Sequence, residues 1–155
     1  MKKERNIALA VCAVLAALIL LLTSQSSPLY PINLWGDANC LFTVGRVMKD
    51  GGVLYRDIYE QKGPLLYLIH ALAACLSDTS FWGVYIMEAL AMTVALYAAY
   101  RLMRLRAGMG FSLGAAAFFG AAFASCTAFI RGDSAEEFCL PLLMAALAIA
   151  YAEYG

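Results

Sequence analysis

Long apolar runs are the feature of this sequence that most restricts how it can fold. They cover residues 6–24, 80–101, 109–130 and 138–154. Each is close to the length of about 20 residues that a helix needs to cross a bilayer. Only 14% of the 155 residues are charged, against roughly a quarter in ordinary soluble domains. The sequence therefore predicts an all-α, multi-pass transmembrane helical bundle with about four spanning helices, in a single membrane domain over residues 1–155.

The first apolar run follows a short basic segment that contains Lys2, Lys3 and Arg5. A basic start before an apolar core is also the outline of a cleaved signal peptide. The apolar core is long, however, and no clear cleavage site with small side chains follows it, so we expect an uncleaved anchor. The sequence has no basic tract interleaved with aromatic residues, which argues against nucleic acid as a partner.

The more polar segment 25–78 contains two further helices that are predicted to lie on the membrane surface. Residues 37–50 have helical periodicity, with Leu41 and Val44 on an apolar face. Residues 64–77 are apolar, but a helix of about 14 residues is only about 21 Å long. The hydrocarbon core of a bilayer is about 30 Å thick. We therefore expect this second helix to lie along the bilayer or dip into it.

Basic residues predict the orientation of the chain in a cell membrane. Lysine and arginine in short loops mark the cytoplasmic side, and three arginines, Arg101, Arg104 and Arg106, follow the second span. The basic N-terminal segment and these arginines are both expected inside, so two crossings separate them. Loop 25–78 and residues 131–137 are then expected on the external face.

A charged strip, GVLYRDIYEQKGP, links the two surface helices and ends at Pro64. It contains Arg56, Asp57, Glu60 and Lys62. Charged side chains at the membrane interface cost little free energy, so their presence does not by itself indicate a site. By composition alone the strip is either a solvated hairpin or part of a site at the membrane surface.

The order of these features resembles the N-terminal portion of the GT-C glycosyltransferases. It comprises an N-terminal span, a loop helix that opens with Asp37, a strip that runs from Lys62 through Pro64 into Leu-Leu-Tyr, and a span that ends in arginines. That superfamily includes the protein O-mannosyltransferases and the aminoarabinose transferases of lipid A, and the resemblance is nearest to a large bacterial branch. It implies transfer of a sugar from a polyprenyl-phosphate donor to an acceptor hydroxyl at the external membrane face. The implied partners are membrane lipid and the donor, with the acceptor unknown.

The resemblance also implies roles for individual residues. Asp37 would be the catalytic base, and Lys62 would contact the donor phosphate, with Arg56 assisting. Asp133, Glu136 or Glu137 would fill a second acidic position. A carboxylate can deprotonate a hydroxyl, and an ammonium group can stabilise a departing phosphate. The competing interpretations are a helix N-cap for Asp37 and a lysine that reaches lipid headgroups for Lys62.

The chain departs from the family pattern in two places. Many relatives have an acidic pair where this chain has Asp37 and Ala38, and the lipid A transferases have Glu-Lys-Pro-Pro where it has Gln-Lys-Gly-Pro. Because only the N-terminal portion is matched, we expect this chain to be incomplete and inactive by itself. The alternative is a non-catalytic four-span membrane protein, or a truncated fragment that acts as a partner subunit.

Four further residues are secondary candidates for the site: Asp57, Glu60, Tyr59 and Glu88. Asp57 is expected to pair with the neighbouring Arg56, and Tyr59 to belong to an interfacial aromatic belt. Glu88 lies within a span, where an ionisable group is costly, so we expect it to face the bundle and to find a partner. The carboxylates on this face are oxygen ligands that could hold a divalent cation. The sequence therefore leaves a metal ion open and indicates no other cofactor.

Zinc is disfavoured by the distribution of the residues that bind it. The five cysteines have no CxxC spacing, and His70 is the only histidine in the sequence. His70 lies in the apolar run 64–77, and we predict that it is a packing residue.

Overall fold

The computed structural model describes residues 2–129 and 131–154, and over these residues the chain is all-α. Its helices are α1 (Lys2–Thr23), α2 (Gly36–Lys49), α3 (Pro64–Leu76), α4 (Trp82–Arg104), α5 (Met109–Ala124) and α6 (Ala135–Tyr154). This part of the chain forms no strand, and Leu54 and Ile58 make one isolated bridge. The predicted helical fold class is confirmed.

Three helices, α1, α4 and α6, are long and apolar enough to cross a membrane. This finding supports a multi-pass membrane protein. The predicted span 109–130 is shorter than expected, because α5 ends at Ala124 after 16 residues. The Ser125 N–H is shared between the Ala121 and Ala122 carbonyls, a pattern common in the last turn of a helix. Turns follow, so a fourth span is not confirmed.

Helices α1 and α4 pack side by side in opposite directions. Tyr85, near the start of α4, donates its hydroxyl hydrogen to the Ala17 carbonyl of α1 at 2.9 Å. Arg104, at the end of α4, donates to Glu4 at the start of α1, also at 2.9 Å. The buried residues of α1 recur every four positions and are mostly small: Ala8, Cys12, Ala16 and Leu20. Small side chains let two helices approach closely.

Helix α5 uses a different set of small residues from the one that its sequence suggests. Gly110 and Gly114 have the spacing of a close helix contact, but both are exposed and have open space around them. Ser112, Ala116 and Gly120 are buried instead. A Cβ atom on Gly120 would meet side chains of both α1 and α4. The buried set has the same four-residue spacing in a different register, and the sequence does not reveal which register is packed because the helix is apolar all round.

Helices α2 and α3 pack together at the end of the bundle where α1 ends. Gly45 of α2 lies so close to the backbone of His70 in α3 that a Cβ atom would come within 2.5 Å of the His70 carbonyl carbon. The outward face of α2 is polar, with Asn39, Thr43 and Arg46 exposed. The outward face of α3 is a stripe of leucines, Leu65, Leu68, Leu72 and Leu76. Both predicted helices form, and their external location stays a prediction.

Candidate functional site

Polar side chains from four parts of the chain meet inside the bundle, at the end where α1 stops and α4 and α6 begin. They are Ser24, His70, Glu88, Asp133 and Glu137, and each is at most 1% exposed. Because burial of unpaired polar groups is costly, such a cluster forms only where its members bond to one another. We call this set the buried polar cluster.

Glu88 is the centre of the buried polar cluster. The Ser24 hydroxyl lies 2.9 Å from each of its carboxyl oxygens. The backbone N–H of Asp133 donates to Glu88 Oε1 at 2.7 Å and to Glu137 Oε2 at 2.9 Å. Two carboxyl groups therefore share one donor. The expectation that Glu88 faces the bundle and pairs with a neighbouring group is confirmed.

The turn before α6 is shaped to bring the Asp133 N–H to these carboxyl groups. Gly132 and Asp133 both have left-handed backbone conformations, with φ of 84° and 55°. Glycine adopts this conformation without steric cost, and aspartate tolerates it better than most residues. A Cβ atom on residue 132 would collide with the Ser24 hydroxyl and come within 2.6 Å of Glu88 Oε1. Gly132 is thus required both by its φ and by the space beside it.

His70 and Asp133 form a second buried pair in the cluster. His70 Nε2 lies 2.7 Å from Asp133 Oδ1, and Nδ1 lies 2.8 Å from the Leu66 carbonyl oxygen. A carbonyl can only accept, so Nδ1 carries a hydrogen. Burial lowers the pKa of His70, but the charge and hydrogen bond of Asp133 outweigh burial, and the pKa is raised above its usual value. His70 is buried and packs against Phe138, as predicted for a packing residue, but its pairing with Asp133 was not predicted.

Two oxygen atoms of the buried polar cluster have no hydrogen-bond partner among the described residues. They are Asp133 Oδ2 and Glu137 Oε1. Within residues 2–129 and 131–154, no group of three or more acidic, histidine or cysteine side chains is arranged to hold a metal ion. The divalent cation that the sequence left open gains no support from this geometry.

The charged strip is held by contacts within itself and with α3. Glu60 accepts a short hydrogen bond from the Tyr67 hydroxyl and another from the Lys62 N–H at 3.2 Å. Partial burial raises the pKa of Glu60, but these hydrogen bonds outweigh it, and its pKa lies below the usual value. Arg56 and Asp57 pair at 2.7 Å on the exposed side of the strip. The local pairing expected for Asp57 is therefore present.

Lys62 lies at the mouth of an apolar groove of about 230 Å³ between the first turns of α3 and α6. The groove is lined mainly by aliphatic and aromatic side chains, among them Leu65, Leu66, Ile69, Phe138 and Leu142. Lys62 is the one charged group among the described residues that line the groove, and its side chain is half-buried. This arrangement suits a molecule with a hydrocarbon chain and an anionic end.

A second, more polar cleft of about 280 Å³ lies between α2 and the charged strip. Asn39, Cys40, Tyr59 and Glu60 are among its lining residues. Asp37 is exposed in the first turn of α2. It is one turn before Cys40 on the same helix face, and Cys40 lines this cleft. The interpretation of Asp37 as an N-cap was wrong, because α2 begins at Gly36 and has no side-chain cap.

The structure separates the predicted site residues into two groups. Asp133, Glu137 and Glu88 come together in the buried polar cluster, whereas Glu136 is exposed outside it. Lys62, Glu60 and Tyr59 line the grooves beside the strip, and Arg56 and Asp57 are exposed. The sequence interpretation missed Ser24 and His70. A single histidine in an otherwise apolar helix was the available indication, because a polar side chain in such a setting needs a partner.

No protein-family model, curated protein sequence or solved structure matches this chain. Its function is therefore inferred from its own residues.

Proposed function

We propose that the chain is a glycosyltransferase-like membrane protein that binds a polyprenyl-phosphate sugar and passes the sugar to an acceptor hydroxyl at the external membrane face. The observation that carries the proposal is the single half-buried lysine, Lys62, at the mouth of an apolar groove. An isoprenoid tail would occupy the groove, and the phosphate would meet the ammonium group. A compact cation on a flexible stem suits a phosphate oxygen.

The polar cleft beside the groove would hold the reacting groups. Asp37 would take the proton of the acceptor hydroxyl, and the acceptor oxygen would then attack the anomeric carbon of the sugar. The bond between that carbon and the phosphate oxygen breaks, and the polyprenyl phosphate leaves with the electron pair. Lys62 would stabilise this leaving group. Attack on the side opposite to the phosphate inverts the anomeric configuration.

Positions near these residues suggest supporting roles. Glu60 accepts the Lys62 N–H, which ties the lysine backbone to the edge of the cleft. Arg56 is exposed and already paired with Asp57, so its proposed assistance to the phosphate would require that pair to open. Tyr59 is 78% exposed and borders the cleft, where its ring could contact a sugar.

A non-catalytic role, as a partner subunit, is the second candidate. It is favoured by the burial of Asp133 and Glu137, which closes two of the three residues proposed for the second acidic position to any substrate and leaves only Glu136 exposed. In this case the buried polar cluster serves only to hold the turn before α6. The groove beside Lys62 would still bind a lipid phosphate, but no sugar would be transferred.

The test uses the chain reconstituted in nanodiscs with a photoreactive polyprenyl phosphate and, separately, a donor with a radiolabelled sugar. Lys62→Ala should weaken lipid-phosphate binding by about 10- to 100-fold, the equivalent of one charged hydrogen bond of about 1.5–3 kcal/mol. Lys3→Ala removes an exposed lysine that lines none of the grooves described and should leave binding unchanged. Asp37→Asn should preserve binding and abolish transfer.

Binding and transfer test different parts of the proposal. Binding that depends on Lys62, with transfer that depends on Asp37, supports the transferase. Binding that depends on Lys62 without any transfer fits both the partner subunit and a transferase portion that is inactive by itself. Equal binding by the Lys62→Ala and Lys3→Ala variants would refute the groove as the donor site.

A further inference from the structure

A basic cleft of about 430 Å³ lies at the opposite end of the bundle from Lys62, between the start of α1 and the end of α4. Four cationic side chains line it: Lys2, Arg5, Arg101 and Arg104. Neither the proposed transferase activity nor the buried polar cluster uses any of these residues. We call this feature the basic cleft.

The positive charge of the basic cleft is only partly neutralised by the protein. Among the residues whose side chains are described, Glu4 is the one acidic group in its lining, and it already accepts hydrogen bonds from Arg104 at 2.9 Å and from Tyr100 at 3.3 Å. Among the described side chains, Lys2, Arg5 and Arg101 have no ion-pair partner. Three cations around one concave surface favour an anionic ligand.

The position of the basic cleft along the helices indicates the depth of that ligand. Its residues belong to the first two turns of α1 and to the last turns of α4, and both helices are long and apolar enough to cross a membrane. The ends of spanning helices lie at the level of the lipid headgroups. Phosphate groups of lipids are therefore the anions closest to this cleft.

An apolar groove of about 290 Å³ continues from the basic cleft along the bundle. The two features share Tyr97 and Arg101. The groove runs between α4 and α6 and is floored by small side chains, including Ala98, Ala145 and Ala148. Small side chains leave an apolar furrow here, and a furrow that ends in a cationic cleft suits the acyl chain and the anionic headgroup of a phospholipid.

We propose that the basic cleft binds an anionic phospholipid of the surrounding leaflet. Lys2, Arg5 and Arg101 hold the headgroup phosphate, and one acyl chain lies in the groove over Ala145 and Ala148. Basic pockets between spanning helices are a recognised kind of site for anionic headgroups. The inference does not depend on the proposed transferase function, because it concerns the other end of the bundle.

The charge test compares matched variants by native mass spectrometry of the purified chain, with phosphatidylglycerol or phosphatidylcholine added. The intact chain should retain phosphatidylglycerol in preference to phosphatidylcholine. Arg101→Gln should weaken phosphatidylglycerol binding about fivefold, as expected for the loss of one basic residue near an anionic headgroup. Lys3→Gln removes the same charge from an exposed neighbour that does not line the cleft, and it should change binding by less than about twofold.

The groove test changes shape and leaves charge untouched. Ala148→Leu should fill the furrow and weaken phosphatidylglycerol binding, whereas Ala146→Leu, at an exposed position outside the furrow, should not. Equal losses in Arg101→Gln and Lys3→Gln would show a diffuse surface-charge effect and overturn the proposal. Equal retention of both lipids, or displacement of the lipid by millimolar inorganic phosphate, would overturn it as well. If the Ala148→Leu variant binds phosphatidylglycerol normally, no acyl chain lies in the groove.

Discussion

Replacing Gly132 by alanine should destabilise the bundle far more than the same change at another left-handed glycine. Gly132 has φ of 84°, and a Cβ atom there would meet the Ser24 hydroxyl and Glu88 Oε1. Gly51 has φ of 93° and open space around its Cβ position. The two substitutions therefore share backbone strain and differ only in the contact with the buried polar cluster.

The magnitudes follow from these two contributions. An alanine forced into the left-handed region costs about 1–2 kcal/mol. At residue 132 the new methyl group must also displace Ser24 from Glu88, which removes a buried hydrogen bond worth about 1.5–3 kcal/mol. Gly132→Ala should thus lower the free energy of unfolding by about 2.5–5 kcal/mol, and Gly51→Ala by about 1–2 kcal/mol. The change in unfolded-chain entropy is the same in both variants and cancels.

The assay is reversible unfolding in mixed detergent micelles, followed by helical circular dichroism for both variants side by side. A further comparison, Ser24→Ala combined with Gly132→Ala, should recover part of the loss because the clash with the hydroxyl is gone. If Gly132→Ala is no less stable than Gly51→Ala, the close approach of residue 132 to Glu88 does not exist in the folded protein, and the reasoning fails.

Two further predictions concern polar contacts of α3. His70, the only histidine, should titrate in NMR with a pKa above its usual value of about 6.5, because the charge of Asp133 outweighs burial. The stabilisation that this pair gives to the folded protein is complete below about pH 6.5 and is lost as the pH rises through the raised pKa. Asp133→Asn should lower the pKa of His70. An unchanged titration of His70 in that variant would contradict the pairing. Tyr67→Phe removes the hydroxyl that bonds to Glu60 and to the Lys62 N–H, and it should cost about 1–3 kcal/mol in the same micelle assay. Tyr59→Phe, at an exposed ring, should cost less than about 0.5 kcal/mol, and equal losses would rule out the Tyr67 contacts.

The helices were predictable because their causes are local. Apolar length and periodicity located all six, and α2 and α3 were placed to within a residue at each end. The end of α5 was not, because residues 109–130 are apolar almost throughout, and hydropathy does not register that Ser125 begins a turn. The residue at which a helix ends depends on backbone hydrogen bonding, and the composition of an apolar run does not reveal it.

The buried polar cluster was predictable only in part because its contacts join distant residues. Glu88 stood out since an ionisable group in a span must find a partner. Its partners, however, are Ser24 and Asp133, which are 64 and 45 positions away in the chain. His70 was surrounded in sequence by apolar neighbours, and nothing local pointed to Asp133, which is 63 positions away. Periodicity indicates which face of a helix is buried, but it does not say which polar groups meet there.

The early end of α5 has a consequence for what surrounds the turn before α6. A helix of 16 residues is about 24 Å long, whereas α4, which runs beside it, has 23 residues and a length of about 34 Å. Between the end of α5 and the start of α6, residues 125–129 and 131–134 are turns and irregular backbone. Lipid cannot hydrate the peptide groups of irregular backbone, so in a membrane protein such groups need partners inside the protein. Glu88 and Glu137 act as an internal substitute for water at one of these groups, because both accept a hydrogen bond from the buried Asp133 N–H.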